Sequence, residues 1–481
     1  MTKYDIIIIG AGVVGTSLAR ELSRYKLRIA VLEKELEPAF GVSKSNSGII
    51  HPGTQNPPHS LKGRLCVRGN ELTRVIAGEL GVDFKETGEL ITAFSEEELS
   101  RLMEIKRDAE MLGVPRLEIV GRDWLRKNEP NLSRDVSAAL YAPTAGIISP
   151  YRLVYDLCEN AEKNGVEIYT GYAVTAFRRQ DSSSRGFEIV TSRGVFNSRF
   201  LVNCAGLFAD EIAGMAGITD FKISPRKGEE FILDKKKRNM TRHLLFPVPS
   251  GNSKGILVIK TADGNPMIGP TAEDTGDKND LSTSDEGFLK VLAGVQKMVP
   301  SINGGDIIAY FAGLRPVAGD DFIIRHEDAF PGLVTVAGIQ SPGLTSAPAI
   351  ALLAADILKN HGLILRKKSV FYAHRRKTRH LFAMPLSQAK NLIKKDPAYG
   401  DIVCRCEMVS AQEIHGAIER GAQTLDGIKF RTRAQAGRCH GSFCTTRIMK
   451  ILAEEAGTAV TAVTKRGEGT EMVKGGRGEQ G

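Results

Sequence analysis

Four cysteines near the end of the chain have the type and spacing to hold a metal centre. Cys404-Arg405-Cys406 is followed, after 32 intervening residues, by Cys439-His440-Gly441-Ser442-Phe443-Cys444. Thiolates are soft ligands that suit iron–sulfur clusters or zinc. Structural zinc usually draws on CxxC pairs, so C-x-C with C-x4-C favours iron–sulfur. Of the chain's seven cysteines the other three, Cys66, Cys158 and Cys204, stand in apolar contexts and read as buried thiols. The first thirty-three residues suggest phosphate chemistry. Ile6-Ile7-Ile8-Ile9 breaks at Gly10-Ala11-Gly12-Val13-Val14-Gly15 and continues as Thr16 to Leu22, which reads as strand, glycine turn and helix. Gly10 allows the tight turn, Gly12 lets backbone approach a pyrophosphate, and Gly15 lets the helix pack on the strand. Glu33 closes a second apolar run and can accept hydrogen bonds from a ribose diol.

No second GxGxxG follows a strand, so one dinucleotide is expected, and a flavin fits better than a nicotinamide. Phe200 to Gly206 is another buried strand ending on a small turn, where Ala205 and Gly206 would pass close to the same cofactor. Gly338 to Ala349 runs from a glycine loop into an apolar helix. The free N–H groups of Gly343, Leu344 and Thr345 would face the negative charge of a reduced isoalloxazine ring. A flavin beside a one-electron cluster implies a dehydrogenase rather than an oxidase. Oxidation of a secondary alcohol needs a base for the hydroxyl proton and a cation for an anionic substrate. His51 is the candidate base because histidine titrates near neutrality. Arg315, in Gly313-Leu314-Arg315-Pro316, is the candidate anion clamp because a guanidinium fork matches phosphate and carboxylate. The plainer alternatives are a structural histidine in a loop and a domain-bridging salt bridge. Arg226, Lys254 and Lys260 are weaker candidates for the clamp.

Gly10 to Glu33, Asn203 to Gly206, Gly313 to Pro316 and Gly338 to Ala349 together resemble the FAD-dependent oxidoreductases of the D-amino-acid oxidase superfamily. Ser45-Asn46-Ser47-Gly48-Ile49-Ile50-His51, with Ser60-Leu61-Lys62 and Val67-Arg68-Gly69-Asn70, is similar to the group containing the anaerobic glycerol-3-phosphate dehydrogenase large subunit and L-2-hydroxyglutarate dehydrogenase. The resemblance covers roughly residues 1–455. It implies FAD contacts at Ser47, Gly48, Val174 and Gly313 in addition to the glycines above. The four-cysteine region resembles the [2Fe-2S] domain of bacterioferritin-associated ferredoxin, with Cys404, Cys406, Cys439 and Cys444 as ligands. The implied activity is oxidation of a small anionic alcohol, foremost glycerol 3-phosphate to dihydroxyacetone phosphate, by hydride transfer to flavin N5 and electron exit through the cluster. L-2-hydroxyglutarate oxidation and amine or amino-acid oxidation are the alternatives, and a non-catalytic electron-transfer protein is the reading from a different class.

The elements around these residues predict an α/β chain: a Rossmann-like FAD domain (1–80, 145–215, 310–362), an antiparallel-sheet substrate domain (81–144, 216–309), a basic linker (363–400), a small helical [2Fe-2S] domain (401–457) and a disordered tail (458–481). Gly41 to Asn70 reads as a loop wrapping a ligand, Glu71 to Leu80 as a helix, Phe84 to Phe94 as one strand, and Ile223 to Leu233 as an edge strand starting at Pro225. Discontinuous domains place the active site in the cleft between them.

At 481 residues, 42% hydrophobic and 25% charged, the chain has ample core and an ordinary globular composition. The net charge of +9 resides between His361 and Gly400, where ten Lys or Arg face one acid, Asp396. That segment reads as a solvated linker, with a docking strip for an acidic redox partner or an anionic membrane as the sharper alternative. Nothing resembles a nucleic-acid motif. With no signal peptide and no run of ~18 apolar residues, the protein is expected to be cytoplasmic, at most peripheral to a membrane.

Overall fold

The computed structural model describes residues 3–179, 186–249, 254–375 and 377–474. Arg376 of the basic segment and residues 475–481 of the expected tail lie outside the described residues. The chain forms two compact units, one of residues 1–33 and 39–375, the other of residues 34–38 and 376–481.

The first unit is built on two large sheets. In one, Lys3–Ile9 lies between Gly194–Asn203 and Ile29–Glu33, parallel to both, and Val166–Thr170 and Leu333–Ala337 extend the parallel core. Antiparallel Phe187–Thr191 and Val174–Arg179 flank it on one side, and Ile323–His326 pairs with Leu333–Ala337. Covered on both faces, such strands read as continuous apolar runs: Ile6, Ile7 and Ile8 are all fully buried. The helices Val13–Leu22 and Gly343–Asn360 pack there, and Ile6, Leu18, Leu22, Val31, Val202, Val334 and Ile350 share one core.

The second sheet runs Glu273–Asp274, Ser224–Leu233, Pro266–Gly269, Leu257–Lys260, Leu244–Pro247, Glu89–Ala93, Ala138–Ala142, Glu118–Gly121, with Ile307–Val317 on the free side of Ser224–Leu233. Ser224–Leu233 is therefore not an edge strand. Its Pro225 sits opposite Pro316, where neither residue has an N–H to donate. A small sheet of Ile49–Ile50, Gly146–Ile147 and Lys85–Glu86 carries the chain into His51.

Three local readings are corrected. The helix expected at 71–80 starts ten residues earlier and spans Leu61–Leu80, capped by the Ser60 hydroxyl on the Gly63 N–H. Its glycines look like loop residues in sequence. In the fold a Cβ at Gly69 would lie 2.1 Å from the Thr345 carbonyl oxygen, so the glycine permits close helix packing. The strand expected at 84–94 is broken into Lys85–Glu86 and Glu89–Ala93 by Gly88 at φ +68°. The start of the basic segment is stitched to the first unit: Lys26 donates its backbone N–H to the Arg366 carbonyl (2.8 Å), Tyr372 donates to Asn164 Oδ1 (2.9 Å), and Arg375 pairs with Asp156 and Glu159.

The second unit packs the hairpin Ile402–Cys404/Val409–Ser410 with the helices Ala411–Glu419, Leu425–Thr432 and Thr445–Ala456 around Val403, Ile414, Ile428, Ile448 and Leu452. Residues 458–474, expected to be disordered, carry a short helical turn and a Thr464–Glu471 bridge. Val463 is buried in that core and Lys465 pairs with Asp426 at 3.0 Å. Lys34–Pro38 also belongs here. Glu37, fully buried, pairs with the almost fully buried Arg431 and accepts the Gln423 N–H at 3.0 Å. Breaking a buried pair by removing one partner costs about 3–5 kcal/mol. Glu37→Ala is expected to lower the unfolding free energy of this unit by about that amount; an unchanged urea midpoint would remove Glu37 from its core. Among the described residues no helix is long and apolar enough to cross a membrane.

Candidate functional site

The glycine turn is built as a cradle that side chains would fill. Gly10 has φ +102°, and a Cβ there would meet the Cys204 carbonyl oxygen at 2.5 Å; one at Gly15 would lie 2.0 Å from the Gly10 oxygen. Gly12 sits at the N-cap of the helix Val13–Leu22, and the Ser43 hydroxyl accepts the Val13 N–H at 2.9 Å. Glu33 ends its strand beside this turn and accepts the Ala11 N–H at 2.7 Å. Ala205 and Gly206 follow the adjoining Gly194–Asn203 strand. Val174 opens its strand just after Tyr172, whose N–H donates to the Glu33 carbonyl at 2.8 Å. Glycines and acid thus collect at the carboxyl ends of neighbouring parallel strands, where a dinucleotide binds in such sheets. Missing side chains at Gly10, Gly12 and Gly15 and a helix N-terminus at this turn fit a pyrophosphate.

The same edge carries the chain to the second sheet. Gly48, at φ +67°, accepts the Ile148 N–H at 2.9 Å, and a Cβ at Gly313 would lie 2.2 Å from the Ser45 carbonyl oxygen. Ser47 donates its hydroxyl to buried Glu230. Gly343, Leu344 and Thr345 open the helix Gly343–Asn360, but the Gly343 N–H, expected to be free, is taken by the Gln340 carbonyl at 2.6 Å. The Thr345 hydroxyl accepts the His51 N–H at 2.9 Å, and Asn70 donates to the His51 carbonyl at 3.0 Å. The backbone of His51 is therefore fixed from two helices.

Around His51 lies a buried charged pocket. Glu89 stands 4.0 Å from His51 Nδ1 with its side chain fully buried, and accepts a hydrogen bond from the Thr54 hydroxyl. Lys254 interacts electrostatically with His51, Glu89, Cys66 and Arg315, so the two cations and the histidine share one field. Arg315 donates to the Thr271 carbonyl at 3.3 Å and faces Glu230. Burial pushes the Glu89 carboxyl up to about 7, against the Thr54 hydrogen bond and Lys254. Glu230 is likewise pushed up to about 7 by burial, against Ser47 and Arg315. Burial, then the charge of Lys254, holds His51 well below its usual range, and burial lowers Lys254 and Arg315. With both carboxyls partly neutralised and two cations retained, the pocket favours an anion.

Of the weaker candidates, Lys254 is in this pocket. Arg226, opposite Arg315 in the ladder, is taken by Asp274 at 2.7 Å, and Lys260 lies nearer Glu129. Glu89, Glu230 and Thr54 escape a reading of the sequence because no motif surrounds them. An acid opening the otherwise uncharged Glu-Leu-Ile-Thr-Ala strand was the available signal for Glu89.

In the second unit the four cysteines fall into two pairs. Cys406 and Cys439 sulfurs lie 3.5 Å apart, and the Cys404 and Cys444 thiols are hydrogen-bonded to each other. No three of them lie mutually within 4.8 Å, whereas a tetrahedral zinc with ~2.3 Å bonds would hold all four sulfurs about 3.8 Å apart. Two pairs suit a two-iron centre. Cys444, and then the backbone N–H groups of Gln435, Glu407 and Cys406, draw the Cys404 thiol down to about 6, and the N–H groups of Gly441 and Phe443 point at the Cys439 sulfur. Such donors stabilise thiolate ligands. Cys406→Ser is expected to lose most of the protein's iron and acid-labile sulfide while flavin absorbance stays, and Cys66→Ser to keep both. Retained iron and sulfide in Cys406→Ser would remove that thiol from the ligand set.

Comparison with known proteins agrees. Residues 5–357 match the family described as FAD dependent oxidoreductase, and residues 402–454 the BFD-like [2Fe-2S] binding domain. The chain is 40% identical over 475 residues to a glycerol 3-phosphate dehydrogenase of Caloramator mitchellensis, covering 98% of each. It is 28% identical over 390 residues to L-2-hydroxyglutarate dehydrogenase of Escherichia coli, covering 72% of this chain and 90% of that one. The structure of dithionite-reduced L-alpha-glycerophosphate oxidase from Mycoplasma pneumoniae with FAD bound superposes with a TM-score of 0.75 at 30% identity, covering 79% of this chain and all of the other. With the glycine cradle at one end and paired thiols at the other, the chain belongs to the FAD dependent oxidoreductase family, with FAD as its cofactor and a C-terminal BFD-like [2Fe-2S] domain.

Proposed function

We propose that the chain is a glycerol-3-phosphate dehydrogenase, oxidising the C2 alcohol to dihydroxyacetone phosphate. The observation that carries this reading is the pair of half-buried cations, Arg315 and Lys254, sharing one pocket with a neutral His51. Support also comes from the 40% identity to the Caloramator protein of that name. Gly10, Gly12, Gly15, Glu33, Val174, Ala205 and Gly206 would hold the nucleotide end of FAD; Ser47, Gly48, Gly313, Gly343, Leu344 and Thr345 would flank its ring. When bound, FAD supplies a hydride acceptor at N5 and the [2Fe-2S] cluster a one-electron carrier toward an acceptor protein. Arg315 and Lys254 bind the phosphate and fix the substrate's orientation. His51 Nε2 takes the hydroxyl proton as the C2 hydride leaves, and its neutral state at physiological pH keeps it competent as a base.

The test is anaerobic stopped-flow mixing with glycerol 3-phosphate, L-2-hydroxyglutarate or an amino acid, following flavin bleaching. Fast bleaching by glycerol 3-phosphate alone is expected. Bleaching only by the dicarboxylate would reassign the substrate, and ammonia release would move the reaction to amine oxidation.

A further inference from the structure

A carboxyl group is an unusual first residue for a core strand. Glu89 opens Glu89–Ala93 directly after the bend at Gly88, opposite Ala142 on one side and Leu244 on the other, and is 0% exposed. One of its oxygens, Oε1, accepts the Thr54 hydroxyl. The other, Oε2, has no hydrogen-bond partner, and it is the oxygen 4.0 Å from His51 Nδ1. Buried carboxylates elsewhere in the unit are satisfied: Glu229 takes the Ser284 N–H on one oxygen and the Ser284 hydroxyl on the other. Groups left unsatisfied in a core call for a reason beyond stability.

We propose that Glu89 is a positioning residue for His51: its ionised carboxylate holds the proton of the neutral imidazole on Nδ1, leaves the Nε2 lone pair for the substrate hydroxyl, and offsets the imidazolium charge once that proton arrives. This rests on the reading of His51 as the base. The geometry agrees. The backbone of His51 is pinned by Thr345 and Asn70, and the Phe246 ring lies edge-on at 6.1 Å. With Nδ1 turned to Glu89, Nε2 lies on the opposite edge of the ring. In the proton step the substrate O–H bond breaks and an Nε2–H bond forms. The positive charge that appears on the ring faces a carboxylate in a dry site, where such an interaction is strong.

The sign of the pH dependence follows. The charged or titratable groups facing the pair are Lys254 and Cys66, with Arg315 and Lys62 beyond Lys254. Burial places Glu89 at about 7. Below that pH it is a neutral carboxylic acid that no longer favours a proton on Nδ1, so the ring proton can sit on Nε2 and block the base. Above it, the carboxylate charge 4.0 Å away favours the proton on Nδ1 and leaves Nε2 free. The wild-type kcat/KM for glycerol 3-phosphate should therefore rise through about pH 7.

The experiment uses the holoenzyme with 15N-histidine labelling. In wild type, the His51 resonances, identified by their loss in His51→Asn, should report Nδ1–H above the inflection and Nε2–H below it. Glu89→Gln should abolish that switch, flatten the rising limb and lower kcat at high pH at least tenfold with little change in KM. Glu89→Asp should restore part of the rate and the limb. Thr54→Val removes the hydroxyl that favours the ionised form, so it should move the limb to higher pH; it also reads out the pair if Glu89→Gln fails to bind FAD. Wild-type pH profiles and an unchanged His51 tautomer in Glu89→Gln, or in Thr54→Val where Glu89→Gln does not fold, would overturn the proposal. Wild-type kcat in His51→Asn would instead remove His51 as base, and the tautomer measurement would still decide what Glu89 does to the ring.

Discussion

Arg315→Met is expected to lower kcat/KM for glycerol 3-phosphate by roughly 30- to 5000-fold, the range that follows from removing one member of a buried charge interaction worth about 2–5 kcal/mol. Arg315 is half-buried on Ile307–Val317, donates to the Thr271 carbonyl and faces Glu230. Its loss removes a cation from the substrate pocket and leaves Glu230 without its opposing charge, so Glu230 should become more protonated and the pocket less cationic. If Arg315 binds the phosphate equally in the ground and transition states, the loss should fall mainly on KM, with kcat within about tenfold. Arg315→Lys keeps the charge but not the planar fork and should recover only part of the loss. FAD content serves as the folding control. A kcat/KM within threefold of wild type in a flavin-loaded Arg315→Met enzyme would make Arg315 a structural residue of the second sheet and assign the anion to Lys254.

Gly15→Val is expected to yield protein without bound flavin. A Cβ at this position would lie 2.0 Å from the Gly10 carbonyl oxygen, a backbone atom of the turn itself, and 3.3 Å from the Ile8 side chain. The helix Val13–Leu22 can escape that overlap only by moving off the strand, which carries its N-terminus away from the phosphate position. Overpacking of this kind costs about 1–3 kcal/mol of stability and occasionally more. Gly12→Ala makes the comparison informative, because its Cβ would meet only the Ser43 hydroxyl at 3.1 Å. That variant should fold with wild-type thermal stability, so any fall in its FAD affinity reports the close approach of the cofactor. The flavin absorbance per protein and the dissociation constant for FAD, measured on both variants, test this order. A Gly15→Val protein that retains stoichiometric FAD would show that the helix start does not carry the pyrophosphate.

Much of the chemistry was legible without a fold because it is local in the chain. The strand, glycines and acid between Ile6 and Glu33 meet because each is joined to the next by a turn a few residues long, and Gly10, Gly12 and Gly15 can serve only where Cβ atoms are excluded. The four cysteines declare themselves by composition, since thiolates grouped at short spacing have few other uses in such a chain. Local reading failed where glycine had a long-range purpose. Gly69 resembles a loop residue until the Gly343–Asn360 helix is laid against it, and then it explains why Leu61–Leu80 is a helix.

Other features depend on pairings that no local pattern encodes. Lys34–Pro38 follows directly on the acid of the nucleotide turn, yet it belongs to the C-terminal unit because Glu37 finds Arg431 almost four hundred residues later. Val463 and Lys465, in a stretch poor in apolar residues, are ordered by a core and an acid contributed from elsewhere. The sequence by itself determined the cofactors and the fold class, and it put forward His51 and Arg315 as the candidate base and anion clamp. Tertiary structure alone decided that His51 faces a buried carboxylate and that Arg315 shares its field with Lys254. Proximity and desolvation set those relations, and both arise only when strands distant in the chain are brought side by side.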